Sequence, residues 1–136
     1  MAMNEFDKYT RLLELTNGNP ERLAKLRVSK QKYNAKLRGI DWKLNDHNMV
    51  KKIATSTHCA ISGRPLVFEI DNKDSPSIDR IKSQLTYTVR NTQIVTTAVN
   101  KAKHTLTDQE FVEMCCSVAE KNGWQPPAHL TANTPL

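Results

Sequence analysis

The chain has 136 residues, of which 38% are hydrophobic and 25% are charged, and 20 lysines and arginines stand against 14 aspartates and glutamates. This length allows one domain with a modest core, and the net charge of +6 favours a polyanionic partner. No apolar run approaches the roughly 18 residues that span a bilayer, and the N-terminus is acidic where a signal peptide is basic, so we expect a cytoplasmic protein without a membrane partner.

The first two predicted elements are helices. Apolar residues at three- and four-residue spacing predict a helix over about 4–15. The break "TNGNP" follows, in which Asn19 is placed as a cap and Pro20 as the first residue of a second helix that runs to about Leu37. We expect the apolar side chains of this second helix to face the core, namely Leu23, Leu26, Tyr33 and Leu37.

The second helix carries almost only positive charge. Glu21 is its single acidic residue. Solvated helices usually mix charge signs, because like charges at neighbouring positions repel, so one sign favours an element that follows a phosphate backbone. Residues 1–37 are therefore predicted to be a helical, DNA-contacting segment. Its candidate phosphate contacts are Arg22, Lys25, Arg27, Lys30, Lys32, Lys36 and Arg38.

The next part of the chain predicts scaffold more than chemistry. Asn45 is placed to cap a third helix, and two short extended pieces at 59–61 and 65–70 predict a hairpin around the turn Ser62-Gly63-Arg64. A lone histidine at a strand start, His58, is more often structural than a ligand or a catalytic base.

The cysteine pattern bears on metal binding and redox state. A structural zinc site needs four thiolate or imidazole ligands. Cys59 begins "CAIS" rather than a Cys-x-x-Cys pair, and no second pair follows, so we predict no structural zinc. The adjacent Cys115 and Cys116 are poorly placed to bond to each other, and all three thiols are expected to be reduced.

The segment "SPSIDRIKSQLTYTVRN" reads as a strand, a loop and the start of a second strand, which "TQIVT" continues. Asp79 and Arg80 stand together at the strand end, as either a salt-bridged turn or half of a metal site. A short helix is predicted from Asn100, and its four-residue spacing to His104 puts both side chains on one face.

A last helix is predicted to begin at a capping box between Thr107 and Glu110 and to end at 122–123. The tail, residues 125–136, is Pro-rich and polar and is predicted to be flexible. The side chains expected to be buried by this helix are Phe111, Val112, Cys115, Val118 and Ala119.

Six short pieces in one order carry a family resemblance: "RGI", "CAISGRPL", "SIDRI", "YTVRN", "VNKAK" and "LTDQEF", over about residues 38–120. Together they resemble the HNH or His-Me finger (ββα-metal) endonucleases, and within them the phage and bacterial branch. The resemblance implies an α+β fold. Residues 38–124 would form a small ββα-metal core, with helices on its N-terminal side and one C-terminal helix.

The resemblance also implies a metal site. Asp79 and Asn100 would coordinate one divalent ion, Mg²⁺ or Mn²⁺, and His104 lies where many of these enzymes place a further ligand. Asn91 matches the asparagine that ties the loop between the two strands. Lys103 would neutralise phosphate.

Arg80 departs from the family pattern, because most members have a histidine there that takes a proton from the attacking water. Arginine is always protonated, so it is a poor base and a good phosphate clamp. His58, Tyr87 and His104 remain as candidates for the activating group.

Two functions stay open at this point. One is a metal-dependent, phage-encoded DNA endonuclease that hydrolyses phosphodiester bonds by nicking, as a monomer, or as a homodimer if both strands are cut. The other is an inactive protein of the same fold that holds DNA or inhibits a partner protein after loss of the histidine. In the first, the partner is DNA bound through its phosphates. In the second, the partner is DNA or a protein, and no membrane is involved in either.

Overall fold

The computed structural model describes residues 2–125, which form five α-helices and a two-stranded antiparallel sheet. This composition confirms the predicted α+β class. The predicted flexible tail lies outside the described residues, apart from Gln125. In chain order the elements are α1 (Glu5–Thr16), α2 (Pro20–Leu37), α3 (Asp46–Thr55), β1 (Pro76–Arg80), β2 (Thr92–Thr96), α4 (Thr97–Lys103) and α5 (Asp108–Lys121).

Polar side chains fix where the helices begin. Asn19 caps α2 with Pro20 at its first position, and Asn45 caps α3, as predicted. Thr107 and Glu110 form the predicted capping box of α5, with each side chain bonded to the other's backbone N–H. Short polar residues at these positions accept hydrogen bonds from N–H groups that have no partner within the helix.

The sheet is a single antiparallel pair. Ile78 of β1 lies opposite Ile94 of β2, and Asp79 lies opposite Gln93. Because side chains alternate along a strand, the two isoleucines share one face and Asp79 and Gln93 share the other. β2 leads directly into α4, which begins at Thr97, three positions earlier than the predicted start at Asn100. A small ββα unit results.

The core lies between the sheet and the helices α2 and α3, with Ile78 and Ile94 on one face of the sheet and Val95 on the other. Helix α2 contributes to this core together with the sheet. The buried apolar residues of this core are Ala24, Val28, Ala35, Leu44, Met49, Ile53, Cys59, Leu66, Ile78, Tyr87, Ile94 and Val95.

Most of the predicted apolar face of α2 is on the outside. Leu23 is buried, but Leu26, Tyr33 and Leu37 are 38%, 61% and 67% exposed. The reason is steric: the small face formed by Ala24, Val28 and Ala35 packs against the core and allows close approach. The expectation that all four large apolar residues face inward is wrong for three of them.

α5 also buries less than the sequence predicts. Phe111 is its only buried residue, whereas Val112 is 46% and Val118 is 59% exposed. Cys115 and Cys116 are free thiols at the surface. The first turn of α5 is held by the polar groups around its capping box, and the rest of the helix extends along the surface.

The predicted hairpin at residues 59–70 forms a turn without strands. Its contacts are an isolated bridge between His58 and Pro65 and a hydrogen bond from the Cys59 N–H to the carbonyl of Arg64. The buried Cys59 sulfur accepts the backbone N–H groups of Ser62 and Thr96 at 3.4 and 3.3 Å. Burial raises the pKa of this thiol, but hydrogen bonds from the Ser62 side chain and from the backbone of Ser62, Thr96 and Ile61 together lower it by more, so the net shift is downward.

No helix within residues 2–125 is long and apolar enough to cross a membrane.

Candidate active site

An open cleft of about 410 Å³ lies between the second half of α2, the end of β1 and helix α4. It brings together six of the residues that the sequence singles out and adds several that it does not. The lining residues are Gln31, Asn34, Arg38, Ile78, Asp79, Arg80, Ser83, Tyr87, Asn100, Lys101, His104 and Thr105.

Asp79 is the acidic group of the cleft and is 2% exposed. Its Oδ2 accepts hydrogen bonds from Gln93 Nε2 at 2.9 Å and from Lys103 Nζ at 2.7 Å. Its Oδ1 accepts none from residues 2–125, yet it does not belong to the buried oxygens that lack a partner, so it reaches solvent. The carboxylate therefore keeps one oxygen for a ligand in the cleft.

The ammonium group of Lys103 donates a hydrogen bond to Asp79 Oδ2. The Lys103 side chain is fully buried, and Nζ contacts Asp79 Oδ2, the carbonyls of Arg80 and Ile81 at 3.1 and 3.3 Å, and Asp108 Oδ1 at 3.0 Å. A buried ammonium needs such partners, because an unpaired one would be costly. This placement corrects the expectation that Lys103 contacts phosphate: all three N–H donors are enclosed by protein.

Asn100 is held by its amide nitrogen. Nδ2 donates to Ser77 Oγ at 2.7 Å and to the carbonyl of Ile78 at 3.3 Å. Both partners belong to β1, so the first turns of α4 are tied to the strand that carries Asp79. With Nδ2 directed at β1, the amide oxygen is the atom left for a ligand.

His104 follows α4 directly as its C-cap, and its backbone N–H donates to the carbonyl of Asn100 at 3.2 Å. Its φ of 49° lies in the left-handed region, which residues other than glycine seldom adopt. The cost is of order 1 kcal/mol, and such strain is concentrated at functional sites. His104 lines the same cleft as Asp79 and Asn100.

Arg80 is anchored to the loop that follows β1. Nη1 donates to the carbonyls of Ser83 and Leu85 at 2.5 and 3.0 Å, and the guanidinium lies 5.2 Å from the ring centroid of Tyr87. Tyr87 in turn packs on Trp42 with the ring centroids 5.0 Å apart. Nη2 and Nε of Arg80 form no hydrogen bond within residues 2–125, which leaves them for an anion in the cleft.

Two further predicted residues lie outside the cleft. Asn91 crosses the base of the loop between the strands: its Oδ1 accepts the Lys82 N–H at 2.9 Å, and Nδ2 donates to the carbonyls of Lys82 and Thr86 at 3.0 Å each. His58 is exposed at its isolated bridge to Pro65 and does not line the cleft. Of the three candidate bases, only Tyr87 and His104 line the cleft that Asp79 lines.

The basic residues of α2 spread over two sides of the helix. Arg27 turns inward, where it donates to Ser75 Oγ at 3.2 Å and where burial lowers its pKa. Lys25 pairs with Glu21 and Lys32 with Asp46, while the others on the list are exposed. Of the seven, Arg38 alone lines the cleft, with Lys101 of α4 as a second cation there.

Four residues of the site are not apparent from the sequence. Gln31 exchanges two hydrogen bonds with the backbone of Ile78, at 2.8 and 2.9 Å, and so occupies the free edge of β1. Gln93 contacts the Asp79 carboxylate, Asp108 reaches it only through Gln93 and Lys103, and Lys101 lines the cleft. Gln93 follows from the register of the strands, but the others depend on how helices pack.

The chemistry of the donors fits a hard divalent cation. Asp79 Oδ1 and the Asn100 amide oxygen are the kind of ligand that Mg²⁺ and Mn²⁺ prefer, and imidazole is acceptable to Mn²⁺. Mg²⁺ is commonly held by one or two protein oxygens together with waters and substrate phosphate. Within residues 2–125, no three His, Cys, Asp or Glu side chains are grouped to hold a metal, so such a site depends on the amide of Asn100.

No protein-family model matches the chain, and comparison with curated proteins finds no match in sequence. Among solved structures, the fold is similar to that of the rare-cutting HNH restriction endonuclease PacI, whose structure is described in terms of DNA perturbation. The TM-score is 0.56 and the identity 14%, over 72% of this chain and 78% of that one. This likeness confirms the predicted HNH-like ββα fold. The narrower phage-type motif stays a prediction.

Proposed function

We propose that the protein is a divalent-metal-dependent DNA endonuclease of the HNH type. The observation that carries the proposal is a pair of oxygen atoms that have no hydrogen-bond partner within residues 2–125. They are Oδ1 of Asp79 and the amide oxygen of Asn100, on two residues that line one cleft of an HNH-like fold. His104 is the third candidate ligand.

The ion, Mg²⁺ or Mn²⁺, would stabilise the negative charge that develops on the phosphate and on the leaving oxygen. The remaining work falls to the protein. Arg80 is presented to the cleft with two donor nitrogens available, which suits a phosphate oxygen. Arg38 and Lys101 line the same cleft and would hold the flanking backbone.

The proton from the attacking water needs an acceptor, and Arg80 cannot serve. His104 and Tyr87 line the cleft, so we assign this role to one of them, with His104 favoured if it is not a ligand.

A single cleft of this kind cuts one strand at a time, which is our ground for nicking. The six sequence motifs support a phage origin and action in the host cytoplasm.

A second candidate is a protein of the same fold that binds DNA, or inhibits a partner, without cutting. Arg80 favours it, because this side chain takes the place of the usual histidine and its Nη1 is engaged by two loop carbonyls. The two candidates differ in what Asp79 does.

The test is cleavage of supercoiled plasmid with Mg²⁺, Mn²⁺ or a chelator, by the natural chain, by Asp79→Ala and by the control Glu113→Gln. Glu113 is an exposed carboxylate of α5 that bonds to Gln109 at 2.9 Å. We expect metal-dependent nicking that Asp79→Ala abolishes and Glu113→Gln retains. Salt-sensitive DNA binding without cleavage under any metal would favour the second candidate.

A further inference from the structure

Four side chains form a polar cluster behind the cleft, in which Lys103 and Asp79 are buried and the Asp108 side chain is 40% exposed. Lys103 Nζ bridges Asp79 Oδ2 and Asp108 Oδ1 at 2.7 and 3.0 Å. Gln93 Nε2 bridges the same two carboxylates, at 2.9 Å to Asp79 and 3.1 Å to each oxygen of Asp108. Asp108 belongs to neither strand and does not line the cleft, so its contact with the site runs through Lys103 and Gln93.

The charges of this cluster explain why Asp108 matters. Lys103 alone would neutralise Asp79, and an ammonium so close to the carboxylate would repel any cation bound at Oδ1. Asp108 supplies a second negative charge to the same ammonium. Two carboxylates and one ammonium leave the cluster with a net charge of −1, while Lys103 still orients Asp79.

We propose that Asp108 is a positioning residue of the metal site: by balancing the buried charge of Lys103, it leaves the negative charge of Asp79 available to a divalent cation in the cleft. This inference rests on the proposed function. It extends the site to the first residue of α5, beyond the residues that touch metal or DNA.

A simpler role for Asp108 is stabilisation of α5 alone. A carboxylate in the first turn of a helix interacts favourably with the helix dipole. That role predicts a loss of stability on substitution and no change in metal affinity. The balancing role predicts a loss of metal affinity that is relieved when the charge of Lys103 is removed as well.

The experiment measures Mn²⁺ binding to the full chain without DNA, from the electron paramagnetic resonance signal of free Mn²⁺, with thermal unfolding in parallel. Asp108→Asn keeps the shape of the side chain and removes its charge, and Glu113→Gln removes a charge elsewhere on the same helix. We expect Asp108→Asn to weaken Mn²⁺ binding about tenfold, as substitutions of residues that orient a ligand do. Glu113→Gln should stay within about twofold of the natural chain.

The double variant Lys103→Met with Asp108→Asn removes both charges and should recover affinity to within about threefold of the natural chain, by the same charge balance. Equal affinity in Asp108→Asn and Glu113→Gln would overturn the inference, and this comparison decides it even if the double variant does not fold. If Asp108→Asn and Glu113→Gln bind Mn²⁺ equally well while Asp79→Ala no longer binds it, the inference about Asp108 fails and the proposed function still stands. Equal Mn²⁺ binding by the natural chain and Asp79→Ala would overturn both.

Discussion

The two faces of the small sheet differ most at the centre of the strand pair, although Val95 is buried on the same face as Asp79 and Gln93. On one face Ile78 and Ile94 pack into the core, and on the other Asp79 and Gln93 meet polar groups from α4 and α5. Neighbouring residues of β1 thus serve opposite purposes: Ile78, on the apolar face, contributes to the free energy of folding, whereas Asp79, on the polar face, places charge beside a cleft. In so small a fold, a residue that stabilises the core lies next to a residue of the candidate site.

Removal of a candidate ligand tests the polar face and should give the largest effect. Asn100→Ala removes the amide oxygen and the hydrogen bonds to Ser77 and Ile78. We expect plasmid nicking to slow about a thousandfold, because loss of metal-assisted stabilisation costs several kcal/mol. Nicking rates at saturating Mg²⁺ check this, and a rate within about threefold of the natural chain would remove Asn100 from the site.

Truncation of the neighbouring core residue tests the apolar face. Ile78→Ala leaves a cavity at a side chain that is 1% exposed, so we expect the free energy of unfolding to fall by about 3 kcal/mol. Urea denaturation measures it. Where the variant is fully folded, its nicking rate should fall by far less than that of Asn100→Ala, because the backbone contacts of Ile78 with Gln31 and Asn100 do not depend on its side chain. A loss of nicking as deep as that of Asn100→Ala would mean that the two faces are not separable.

The loop that joins the two strands depends on Asn91. Asn91→Ala removes three hydrogen bonds to Lys82 and Thr86 at a residue that is 7% exposed. We expect a loss of about 2 kcal/mol in unfolding free energy, because the loop groups are left without partners. Asn91→Asp keeps one acceptor but sets a charged oxygen against the two carbonyls, so it should lose at least as much. Unfolding in urea that matches the natural chain would show that the loop is held by other contacts.

The smallest effect is expected for cations at the mouth of the cleft. Arg38→Gln with Lys101→Gln should lower duplex DNA affinity about tenfold at moderate salt and reduce the slope of log affinity against log salt by about 2. Lys25→Gln with Lys32→Gln is the matched control, since both lysines are paired with carboxylates. Fluorescence anisotropy over a salt series measures this. Equal slopes for the two pairs would show that DNA does not approach through the cleft.

The position of Ile78 on the apolar face could be predicted from the residues alone, whereas the roles of the polar residues around Asp79 could not. Alternation in "SIDRI" places Ile78 and Asp79 on opposite faces, and caps such as Asn19 and Thr107 fix helix starts from local hydrogen bonds. Both signals are local in sequence. Asp79 and Asn100 were named through a family resemblance, and their roles stay predictions.

Long-range packing explains the failures. Nothing local distinguishes Lys103, which is fully buried, from Lys101, which is exposed, because the difference depends on Asp108 reaching the same ammonium from another helix. Tyr33 and Leu37 look like core residues by spacing, yet the smaller face of α2 packs inward. Helical periodicity shows which residues share one face of a helix, but it does not show which of two apolar faces is buried.

The most direct test of the account is a crystal of the protein with Mn²⁺, with the ion located from its anomalous scattering. The account predicts one ion in the cleft, within about 2.2 Å of Asp79 Oδ1 and of the amide oxygen of Asn100, and its loss in crystals of Asp79→Ala. An empty cleft at saturating Mn²⁺, or an ion held elsewhere, would contradict the central claim that these two oxygens form the metal site of a nuclease.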